Sequence, residues 1–208
     1  METSNITTLS ATTTKRCTRL AKYCYRLFAL IALIGVLDMG NGIAKTEAED
    51  SLEYAVKGAF LFKFSAYIEW PLSAFANDAA PFVIGILGED PFGAKLDAIV
   101  QDQKVQGRPV VIKRYKQLDQ ARGAHILYIS AAETEYSEQI FASLRGSNIL
   151  TVSEESFETG SIINFVVQEN KVRFVIDLKA ADIAALKVSS KLLALAKVVD
   201  TDKQPIKK

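Results

Sequence analysis

The chain has 208 residues, with 25 Lys and Arg against 24 Asp and Glu, one His and two Cys, and 49% of it is apolar. That is one domain of ordinary size with enough apolar side chains for a continuous core, which excludes a disordered chain, collagen and a disulfide-dense miniprotein. A net charge near zero gives no reason to expect nucleic acid as a partner, and one His with two Cys is too few soft ligands for a zinc or iron–sulfur site.

Residues 1–44 read as an export signal. Lys15, Arg16, Arg19, Lys22 and Arg26 precede an unbroken apolar run of 11 residues, Leu27 to Leu37, which Asp38 closes. A membrane-spanning helix needs about 20 apolar residues, so this run is too short for one. Gly42-Ile43-Ala44 then places small residues where a signal peptidase cuts, and the order of basic, apolar and small regions is that of a secretory signal peptide. Cleavage near Ala44 delivers the chain to the periplasm. The exported part keeps 20 basic and 22 acidic residues and no thiol, because Cys17 and Cys24 both leave with the signal. A Cys nucleophile, redox chemistry and a disulfide are thereby excluded from it.

Residues 45–53 read as a polar lead-in, 54–200 as one domain and 201–208 as a frayed basic tail. Val56, Phe60, Phe64 and Tyr67 or Ile68 recur at helical spacing, and Trp70-Pro71 ends the run because a pre-proline residue avoids the α region. The same stretch alternates with period two (Phe60, Phe62, Phe64, Ala66, Ile68, Trp70), but apolar residues around the whole cylinder favour a helix. Phe82–Leu87 is wholly apolar, as a strand covered on both faces is. Asp90 as N-cap and Pro91 at the first position predict a helix carrying Phe92, Leu96, Ile99 and Val100 inward. A strand over Pro109–Tyr115, a connector with Leu118 and Ala121, and a strand over Ala124–Ser130 come next. Ser130-Ala131-Ala132-Glu133 fits a capping box opening a helix that buries Tyr136, Ile140, Phe141 and Leu144. Asn148–Val152 is a further strand. Ile162–Val167 and Lys171–Leu178, separated by Gln168-Glu169-Asn170, read as a hairpin. Helices over Ala180–Leu186 and Ser189–Val199 close the domain. The expectation is a single α/β domain: a mainly parallel sheet with flanking helices and a C-terminal antiparallel hairpin at its edge, three-layered and Rossmann-like.

No motif in this domain carries chemistry strongly. Gly85-x-x-Gly88-Glu89-Asp90 sits where a doubly wound fold binds phosphate, but it lacks the G-x-G-x-x-G spacing and bears two carboxylates where an anion would lie. His125, the sole imidazole, has no orienting partner in sequence and reads as structural; an exported hydrolase would need it as base for Ser130 or Ser153. If the domain binds a small molecule, strand C-terminal ends place the ligand near Glu89, Asp90, Ser130 and Ser153. The aromatic run offers Phe64, Tyr67 and Trp70 as partner-binding residues if part of it stays exposed. No catalytic, metal or cofactor-binding residue is assigned.

Seven strings in order resemble the YfiR family of small exported proteins. They are Val56–Phe64 with Ile68-Glu69-Trp70-Pro71; Ile86–Gly93; Gly107-Arg108-Pro109-Val110; His125–Ser130; Leu150–Ser153; Ile162–Val166 with Val172–Leu178; and Val188–Leu193. The resemblance implies a periplasmic α/β protein without catalytic residues or cofactor. It would bind and repress the periplasmic sensor domain of an inner-membrane diguanylate cyclase, keeping cyclic-di-GMP and biofilm formation low. An outer-membrane lipoprotein that sequesters the repressor is the further partner it implies; a homodimer is a separate expectation. Characterised members have disulfides that set stability and redox response, whereas this domain has no Cys, so redox sensing does not carry over. The alternative is a periplasmic small-molecule binding or sensing protein.

Overall fold

The computed structural model describes residues 47–154 and 160–199. Residues 1–44, read as the export signal, and the tail at 201–208 lie outside them. Helix α1 runs Glu47–Tyr67, so residues 47–53 of the stretch read as a polar lead-in are helical. Glu47, Glu49 and Asp50 occupy its first turn, where carboxylates suit the exposed amides of a helix start. Strand β1, Ile68–Glu69, follows directly and pairs antiparallel with β9, Lys187–Val188, in a two-stranded ladder. The helix-or-strand ambiguity therefore resolves as helix to Tyr67 and strand for two residues after it.

The main sheet is built from β2 (Phe82–Leu87), β3 (Lys104–Val105), β4 (Arg108–Tyr115), β5 (Ile126–Ile129), β6 (Leu150–Glu154), β7 (Ile163–Gln168), β8 (Lys171–Asp177) and β10 (Lys197–Val199). Their order across the sheet is β10-β8-β7-β6-β5-β2-β4-β3. The middle five, β4, β2, β5, β6 and β7, run parallel. Strand β8 pairs antiparallel with β7 through a two-residue turn, Glu169 and Asn170, both at positive φ, as a primed hairpin turn requires. The sheet is thus mixed. The hairpin is not its edge either, because Lys197-Val198-Val199 forms β10, lying parallel against β8 beyond it.

The other helices are short: α2 Ala94–Val100, α3 Ser137–Leu144, α4 Leu178–Ile183 and α5 Ser190–Leu193. The helix expected over Ser189–Val199 is therefore a single turn, capped by Ser189, whose hydroxyl accepts from the Leu192 amide. The helix expected at Asp90 begins instead at Ala94, with Gly93 at its N-cap. Asp90 still binds backbone as a cap does, accepting from the Phe92 and Gly93 amides at 2.8 and 3.2 Å, but it closes a turn ahead of the helix. Half of the expected capping box forms: the Ser130 hydroxyl accepts from the Ala132 amide, while the Ser130 amide donates to the Leu87 carbonyl. The segment it opens, Ala131–Tyr136, is a 3-10 helix, and Tyr136 is exposed rather than inward.

Alternation along the strands sorts the core into two clusters, because successive strand residues point to opposite faces. Phe82, Ile84, Ile86, Ile126, Tyr128, Leu150 and Val152 pack with Leu61 and Phe64 of α1 and Leu96 of α2. Val83, Leu87, Leu127 and Ile129 pack with Ala121 and with Ile140, Phe141 and Leu144 of α3. Gly85 is needed where these layers are tightest: a Cβ there would meet Tyr115 at 2.8 Å and Leu127 at 2.9 Å. On α1 the buried side is Lys57, Gly58, Leu61, Phe64 and Ser65, whereas Val56, expected inward, is exposed.

Candidate functional site

Five parallel strands present their C-terminal ends on one side of the sheet, the side where open α/β folds bind ligands. The loop after β2 lies there. Gly88 has φ +86°, and a Cβ on it would fall 2.7 Å from Glu133 Oε1 and 3.2 Å from Ser130 Cβ. The Glu133 side chain therefore lies against bare backbone at the strand end, a contact only glycine allows. Beside it opens a cleft of about 260 Å³, lined by Leu87, Lys116, Leu118, Glu133, Tyr136, Gln139, Ile140 and Ser143. Its lining combines aliphatic side chains with one lysine and one carboxylate.

The four residues expected to hold a ligand do not converge on this cleft. Ser130 is buried next to Gly88, close to Glu133, but does not line the cleft. Glu89 is exposed. Asp90 faces Arg114, whose Nε donates to Asp90 Oδ2 at 2.6 Å while its Nη2 donates to Asp97 Oδ2 at 2.7 Å. That guanidinium ties the β2 loop to α2, and its hydrogen bonds hold the Asp97 carboxyl below the usual range. Ser153 is fully buried, and its hydroxyl bonds Ser161 and Asn164 between β6 and β7.

On the α1 side of the sheet lies a buried polar cluster that the sequence did not reveal. Lys57 is 2% exposed; its Nζ stands 2.6 Å from Glu53 Oε1 and 3.1 Å from Glu154 Oε2, over the ring of Tyr54. The Tyr128 hydroxyl donates to Glu154 Oε1. Tyr54 also hydrogen-bonds Glu154, and burial together with that carboxylate pushes the Tyr54 hydroxyl up to about 12. Burial raises Tyr128 as well, with Glu154 adding to it. Glu154 is thus the hub joining α1, β5 and β6. The one available signal was a lysine inside an apolar helical run, which reads equally well as a solvated position until the buried face is known.

His125 lies at the opposite end of β5 from Ser130. Five residues of strand span about 16 Å, so the imidazole cannot serve Ser130 as a base. It is 4% exposed, and its Nδ1 accepts from the Val83 amide at 3.0 Å. The expected partner residues sit mostly in the core. Phe64 is fully buried against Phe165 and Phe174, and Trp70 is 7% exposed with its indole N–H on the His125 carbonyl. Tyr67 is half-buried. As placed, Phe64 and Trp70 offer no surface to a partner.

Among the described residues, no helix is long and apolar enough to cross a membrane. Residues 54–197 match the model of a family described as YfiR/HmsC-like. No curated protein matches the chain.

Proposed function

The chain belongs to the YfiR/HmsC-like family, and on that premise we propose that it is an exported, non-enzymatic regulator. It binds the periplasmic sensor domain of a membrane diguanylate cyclase and holds the cyclase inactive. The observation that carries this reading is the family match over 54–197, which takes in nearly every described element. Two structural features support contact rather than chemistry. Asp90 and Ser153 are engaged within the fold, and His125 is separated from Ser130 by the length of a strand. The basic, apolar and small-residue order of residues 1–44 supports export to the periplasm.

Affinity capture from membranes with the tagged full chain tests the proposal. Recovery of a diguanylate cyclase with a periplasmic domain is expected. Folded bait that recovers no such protein overturns it.

The cleft beside Gly88 favours a second reading, a small-molecule sensor, alone or as part of the same regulator. A ligand at 100 times its dissociation constant adds about 2.7 kcal/mol of stability, which a thermal-shift screen detects. Ser143→Trp, at an exposed lining position, fills the cleft and is expected to abolish any such shift.

A further inference from the structure

The segment from Pro71 to Pro81 crosses the N-terminal ends of β2 and β5 as a strap. What holds it is a stack of rings. Phe75 of the strap lies on one face of the His125 imidazole, with centroids 4.5 Å apart and planes at 28°. Phe82 covers the other face at 4.8 Å and 23°. Arg108 completes the stack, with its guanidinium 4.2 Å from the Phe75 centroid and Nη1 donating to the Asn77 and Ala80 carbonyls at 2.7 and 2.9 Å.

This setting accommodates only a neutral imidazole. Nδ1 is occupied as an acceptor by the Val83 amide, so a proton added there would break that bond. Nε2 is buried and has no well-formed hydrogen bond, although it faces the Ala74 carbonyl. Among the described residues, the charged group acting on the ring is Arg108, of the wrong sign for an imidazolium. The counter-charge of Arg108, Asp78, stands 4.0 Å from it and is fully exposed. Trp70, Phe82 and Val83 bring no charge to the site.

We infer that the Phe75–His125–Phe82 stack is an acid-sensitive latch: protonation of His125 releases the 71–81 strap and changes the surface it presents, including Leu72, which is 85% exposed. Burial first, then Arg108, pushes the closed-state imidazole down to about 4, against the ordinary value of about 6.5 once the strap has lifted and the ring has turned off the Val83 amide into solvent. Because the open form binds the proton more readily, opening grows as pH falls through that window. Between pH 7.5 and pH 5 the open fraction is expected to rise about 30-fold.

His125 is the sole imidazole, so its ring proton resonance needs no assignment by mutation. The test combines its NMR titration with amide hydrogen exchange of the full chain, corrected for intrinsic rates, at pH 7.5 and pH 5. The expected result is a resonance titrating well below 6.5 and an exchange increase of about 30-fold confined to 71–81 and the Val83 amide, which loses its acceptor. In His125→Phe the increase is absent. A resonance titrating near 6.5, strap exchange independent of pH, an increase spread evenly over the sheet, or an undiminished increase in His125→Phe would each overturn the inference. If that variant does not fold, the two wild-type measurements decide.

Discussion

Lys57 shows what a buried ion pair does in this fold. Its ammonium sits among Glu53, Glu154 and the Tyr54 ring with almost no solvent contact. Truncating one member leaves the others buried with their charge uncompensated, the costly outcome for such clusters. Lys57→Ala is therefore expected to lose about 3 kcal/mol in urea unfolding, far more than Lys63→Ala on the exposed face of the same helix. Equal losses would show that the cluster is solvated. At Gly85 the argument is steric. Gly85→Ala drives a methyl to within 3 Å of Tyr115 and Leu127, and a loss of 1–3 kcal/mol, roughly, is expected from overpacking. None of this was legible in sequence, since it depends on which residues from distant strands meet.

At the scale of elements, legibility followed burial. Phe82–Leu87 was recognisable because a strand covered on both faces is apolar throughout, and the hairpin because the short polar break Gln168-Glu169-Asn170 separates two apolar runs. The chain end misled for the opposite reason. Leu192, Leu195, Ala196 and Val199 fit a helical stripe by coincidence, while Lys197–Val199 has an open sheet edge to pair with, and that edge is visible only in three dimensions. Helix α1 was recognised with Phe64 inward as read, but near its start Val56 is outside and Lys57 inside. Short helices depend on their caps. Asp177, whose carboxylate accepts from the Ala180 amide at 2.9 Å, starts α4, and Asp177→Ala is expected to lose about 1 kcal/mol in the same unfolding assay. An unchanged midpoint would show that packing alone holds that turn.

For the whole molecule, the α/β class and the family were both readable, because they rest on strings spread over 54–197. The site was not. None of the residues expected at strand ends lines the cleft, since loop paths and side-chain directions set which neighbours meet. The regulatory reading rests instead on the family match over 54–197. The most direct measurement of that reading is intracellular cyclic-di-GMP in cells with and without this chain. Deletion is expected to raise it and restoration of the full chain to lower it again; a level unchanged by either would contradict the proposed role.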